Sequence, residues 1–85
     1  MDKEWFIIYY SDKDGLSPVQ EYIDHLSPGE QAKILSFIGL LAEKGSNLHR
    51  PYADLLKDGI HELRIKLTGT QVRTLYFFVI KILLF

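Results

Sequence analysis

The sequence predicts an α+β domain with the element order β-α-α-β-β and a further strand near the end. Three observations carry this reading: the unbroken apolar run "WFIIYY" at residues 5–10, two successive Ser-Pro helix starts at Ser17-Pro18 and Ser27-Pro28, and polar–apolar alternation from His61 to Phe78. Eighty-five residues, 47% hydrophobic and 25% charged, suit one ordinary globular domain over residues 1–85 with one modest core.

Trp5 to Tyr10 is β-branched and aromatic with no polar alternation, so it reads as a strand buried on both faces. "SDKDG" ends it as a turn; calcium-loop spacing fails, because the twelfth residue from Asp12 is Ile23 rather than Glu. In "SPVQ", Ser17 takes the N-cap, Pro18 the first helical position and Gln20 the third, a capping-box pattern. Val19, Tyr22, Ile23 and Leu26 follow at helical spacing, giving a helix over about 18–26. "SPGE" repeats the device with Ser27, Pro28 and Glu30. Its helix carries Ile34, Leu35, Ile38, Leu41 and Ala42 on one stripe and stops at Gly45. Residues 46–59 read as a loop pinned by Leu55 and Leu56, and from Ile60 the chain is β.

"TGTQ" suits a two-residue turn at Gly69-Thr70, with Gly first as a type II′ turn prefers. Lys66 then faces Arg73, and Arg64 faces Leu75. All three cations share one face, while Leu63, Ile65, Leu67, Val72, Tyr76 and Phe78 share the other. Like charges directly opposite are unfavourable, and an anion between them, or Glu62 beside Arg64, would relieve them. Leu75 and Phe77 fall on the cationic face too, which is therefore expected to be partly covered. Tyr76 and His61 point inward by this register and read as core.

Charge is asymmetric along the chain. Residues 1–45 carry four Lys against eight Asp or Glu, and residues 46–85 carry six Lys or Arg against three, so halves of −4 and +3 make up the formal −1. A basic half can meet a polyanion whatever the total charge. With no Cys, neither a disulfide nor a thiolate–metal framework can form, which fits a reducing cytoplasm. His25 and His49 lack a partner at ligand spacing, so neither metal nor cofactor is expected. The charged start Met1-Asp2-Lys3-Glu4 does not resemble a signal peptide. The apolar stretch Leu75–Phe85, broken by Lys81, falls short of the roughly 18 residues of a membrane span.

"ELRIKLTGTQVRTLYFF", together with "PVQEYIDHL" and "GxxLHRPYxxxLKDG", resembles the phage-derived Gp49-like and HigB branch of the RelE/ParE toxin superfamily across most of residues 5–78. The resemblance implies a β-α-α-β-β-β RelE-like fold, with a helical hairpin packed on a small twisted antiparallel sheet. It implies the toxin of a type II toxin–antitoxin pair, neutralised by a small helix-turn-helix antitoxin. It further implies metal-independent endoribonuclease action on messenger RNA at the ribosome, in the cytoplasm. Basic residues of the two hairpin strands belong to that family's site, and Arg64, Lys66 and Arg73 occupy the matching positions as candidate catalytic residues.

Family members carry a basic tail after the last strand, roughly G-F-x-K-K-x-x-x-K-T-P, whereas this sequence stops at Phe85 within "FFVIKILLF". Weak or absent ribonuclease activity is therefore expected of the 85-residue chain. The apolar end, Ile80 and Ile82–Phe85, is expected to be covered by the antitoxin or by a second copy in a homodimer. Two other functions stay open: a ParE-like inhibitor of DNA gyrase, and a non-enzymatic remnant that only binds an antitoxin.

Overall fold

A computed structural model describes residues 5–79. The architecture is α+β, with two helices followed by a three-stranded antiparallel sheet. The chain divides into two compact units, residues 1–48 and 49–85. The expectations placed on residues 80–85, a closing strand and a covered hydrophobic edge, lie outside the described residues.

In the first unit, Trp5–Tyr10 forms no strand, which corrects the sequence reading. Exposure alternates in degree instead: Phe6, Ile8 and Tyr10 stand out at 95%, 89% and 70%, while Trp5 and Ile7 are exposed over about a third of their surface, at 36% and 37%. The residues have β propensity, but the ladder of hydrogen bonds that defines a strand is not formed. The segment is anchored at its start, where the Trp5 N–H donates to the Ala42 carbonyl at 2.8 Å. The following turn is held by Asp12, whose Oδ1 accepts from the N–H groups of Asp14 and Leu16 at 2.8 and 2.9 Å.

Helix α1 runs Pro18–Asp24 and α2 Pro28–Lys44. Both Ser-Pro starts work as caps. The Ser17 Oγ accepts from the Gln20 N–H at 3.2 Å. The box does not close there, because the Gln20 side chain reaches forward to Asp24 Oδ1 at 2.9 Å. At Ser27 it does close: Ser27 Oγ accepts from the Glu30 N–H, and Glu30 Oε1 accepts from the Ser27 N–H. Gln31 Nε2 donates to the Ile23 carbonyl at 2.9 Å and ties α2 to the end of α1. Ile23, Ile34 and Leu41 are buried; Leu35, expected on the same stripe, is 50% exposed. One residue turns the helix by about 100°, so a stripe through Ile34 and Leu41 leaves Leu35 at its margin. Gly45 ends α2 at φ +52, and a side chain there would collide with the Trp5 indole.

The second unit is the sheet, order β1-β2-β3, formed by β1 Ala53–Lys57, β2 Ile60–Leu67 and β3 Thr70–Tyr76. Strand β1 lies where the sequence reading placed a loop. Its "ADLLK" lacks β-branched residues, so propensity gave no strand signal. The Asp58-Gly59 turn supplies one: φ is +52 and +78, the both-positive pattern of a type I′ hairpin, and Lys57 pairs with Ile60 across it. The β2–β3 turn is Thr68-Gly69 rather than Gly69-Thr70, with Leu67 paired to Thr70. Gly69 takes φ +74 at the second central position, as a type II turn requires, and β-branched Thr70 joins the strand. Ala53, Leu63, Ile65 and Leu67 are buried.

Candidate nucleic-acid interface

The shifted turn changes partners without changing faces. Arg64 pairs with Arg73 and Lys66 with Gln71, in place of the expected Lys66–Arg73 and Arg64–Leu75 pairs. Facing residues move by two, the side-chain period of a strand, so Arg64, Lys66 and Arg73 still share one face. Leu75 pairs with Glu62, and Leu75 and Phe77 are 62% and 65% exposed.

Two arginines directly opposite each other would repel. Glu62, 7% exposed, lies between them: its Oε2 meets Arg64 Nε at 3.2 Å and its Oε1 meets Arg73 Nε at 3.5 Å. Arg64 Nη2 also reaches Asp54 Oδ2 at 3.4 Å, and the same oxygen meets Arg50 Nη2 at 3.0 Å. The result is an alternating chain Arg50–Asp54–Arg64–Glu62–Arg73. Three arginines against two carboxylates leave it one positive charge, and Lys66, exposed and in no ion pair among the described residues, adds another.

A bulge makes this network possible. Counting back from the Lys57–Ile60 pair, Asp54 would face Leu63, on the apolar side. Between Leu55 and Lys57 the register shifts by one residue, and Asp54 pairs with Glu62 instead. Two carboxylates placed directly opposite need a cation between them, and Arg64 supplies it.

Sequence reasoning found Arg64, Lys66 and Arg73 and brought them to one face; it missed Arg50 and Asp54, and it gave Glu62 only a partner's role toward Arg64. The Asp58-Gly59 turn was a readable sign of β1, but nothing local in "ADLLK" announces the bulge. His61 and Tyr76 pair on the opposite face, rings stacked at 5.1 Å and 18°, with Phe78 edge-on to both. Burial pushes the Tyr76 phenol up from its ordinary value. Among the described residues no three His, Asp or Glu gather as a metal site would need, and no helix is long and apolar enough to cross a membrane.

The hydrogen bond from Arg50 is the main cause holding the Asp54 carboxyl below its ordinary value; attraction to Arg50 and Arg64 adds to it, while burial opposes. A depressed carboxylate contributes stability above its unfolded pKa and loses it as pH falls through the folded one. Wild type is therefore expected to be more stable than Asp54→Asn at neutral pH, and the gap to close as pH drops below about 4. Melting both proteins stepwise from pH 7 to 2 checks this; a gap independent of pH contradicts it.

Arg64 is braced by two carboxylates, whereas Arg73 and Lys66 project toward solvent. Such a surface can bind phosphate and stabilise charge developing on it. A family model described as Phage derived protein Gp49-like (DUF891) matches residues 21–83. No curated protein and no solved structure matches the chain. With most of its length matched, the chain belongs to the phage-derived Gp49-like family, which is associated with RelE-like toxins of toxin–antitoxin systems.

Proposed function

We propose that this protein is the toxin of a type II toxin–antitoxin pair and acts as a ribosome-dependent, metal-independent endoribonuclease on messenger RNA. The observation that carries the reading is the gathering of Arg64, Lys66 and Arg73 on one sheet face, with buried Glu62 holding the two arginines. Cleaving RNA at a 2′-hydroxyl requires that hydroxyl to be aligned with its phosphate and the extra negative charge of the transition state to be offset. Fixed cations do the second task well because they need no reorganisation as the charge develops. Arginine stays protonated and cannot act as a base, so Arg64 and Arg73 act as binding and charge-stabilising groups, and Lys66 adds a third cation with three N–H donors.

Neutralisation falls to a small helix-turn-helix antitoxin, and the site of action is the ribosome, hence the cytoplasm. Controlled expression followed by mapping of messenger ends tests the reading. Codon-linked cuts, sparse and with slowed growth in keeping with weak activity, are the expected result. Arrest with DNA damage and no cuts would instead identify a gyrase inhibitor, and absence of both a remnant that only binds its antitoxin.

A further inference from the structure

We propose that Arg50 is a second phosphate contact, so that the face grips single-stranded RNA at two successive phosphates along a path crossing the sheet from β3 to β1. This rests on the reading that the face meets RNA. Within the charged chain, Arg64 and Arg73 already balance the two carboxylates Asp54 and Glu62. Arg50 is a third cation that this balance does not need. Among the described residues its guanidinium pairs with Asp54 alone, at 3.0 Å, and its side chain is 74% exposed. An exposed pair of this kind contributes little to stability, typically below about 1 kcal/mol. It does, however, orient a guanidinium whose other N–H groups meet no carboxylate among the described residues.

Arg73, 64% exposed, stands at the other end, on β3. Arg50 is held to β1 through Asp54, and β1 and β3 are separated by two strand spacings, roughly 10 Å. One phosphate cannot span that gap, whereas two neighbouring phosphates of a strand laid across the sheet can. Arg64, fixed between Asp54 and Glu62, lies under the middle of the path. Exposed cations thus stand at both ends of the path, Arg50 beside β1 and Arg73 on β3, with Lys66 exposed on the central strand β2.

The test is a salt series of binding titrations with a short fluorescent single-stranded oligoribonucleotide, using wild type, Arg50→Ala, Arg50→Gln, Arg50→Lys, Arg73→Ala and the Arg50→Ala/Arg73→Ala double variant. Each phosphate contact on a single strand contributes about 0.7 to the slope of log affinity against log salt. Neutralising Arg50 is expected to lower the slope by about 0.7 and the double variant by about 1.4, while Arg50→Lys keeps the wild-type slope. Melting curves for both neutral Arg50 variants establish that the fold is kept. A wild-type slope for both, with Arg73→Ala lowered, overturns the second contact and leaves the proposed function standing. Weaker binding at an unchanged slope also overturns it. Wild type that shows no salt-dependent binding overturns this inference, and the ribonuclease reading is then decided by the mapping of messenger ends.

Discussion

Replacing Glu62 with alanine is expected to destabilise the protein by about 2–3 kcal/mol. Removing one member of a buried ion pair costs roughly 3–5 kcal/mol because the other charge is stranded. Here the stranded partners are partly solvated, Arg64 at 34% and Arg73 at 64% side-chain exposure, which reduces the loss. The variant also leaves Arg64 and Arg73 directly opposite with nothing between them. For a domain of this size the loss corresponds to a melting temperature lower by roughly 10–20 °C. Adding Arg73→Ala is expected to recover part of it by removing the repulsion, a coupling that a double-mutant cycle reads directly. Stability of Glu62→Ala within about 0.5 kcal/mol of wild type would show the network to be ornamental.

Gly45→Ala is expected to cost about 2 kcal/mol, through two separable causes. The backbone at Gly45 sits at φ +52, a conformation costing a non-glycine residue on the order of 1–3 kcal/mol. The added Cβ would also strike the indole of Trp5. Trp5 is the single tryptophan of the chain, so its fluorescence reports this contact without interference. In Gly45→Ala the emission is expected to shift to longer wavelength as the indole is displaced toward water. A Trp5→Ala background removes the collision but not the strain, so the same glycine change should cost less there. Equal costs in both backgrounds would assign the whole effect to the backbone.

Much of the fold could be read from local chemistry. Ser17-Pro18 and Ser27-Pro28 mark helix starts because a hydroxyl at the N-cap satisfies a free N–H and proline lacks one. Alternation from His61 onward assigned the faces correctly even though the turn was misplaced, since an error of two residues in facing partner preserves parity. What escaped was long-range. "WFIIYY" has the composition of a strand, but pairing is a property of a neighbour, not of the run itself. β1 is made a strand by its Asp-Gly hairpin with β2, against its own propensity. The bulge at Leu56 then decides which face Asp54 takes. That single extra residue separates a solvated loop acid from the group that braces Arg64. The candidate site was therefore visible as a set of cations, while the carboxylates that arrange them needed the register of three strands.

A cationic sheet face that acts on messenger RNA leaves its signature in where messengers are cut. The most direct measurement maps messenger 5′ ends in cells expressing wild type or a folded Lys66→Ala/Arg73→Ala variant, with matched protein levels. Codon-linked cuts are predicted for wild type and their loss for the variant, with growth restored. Cuts of equal number and position in both would show that this face does not carry the reaction.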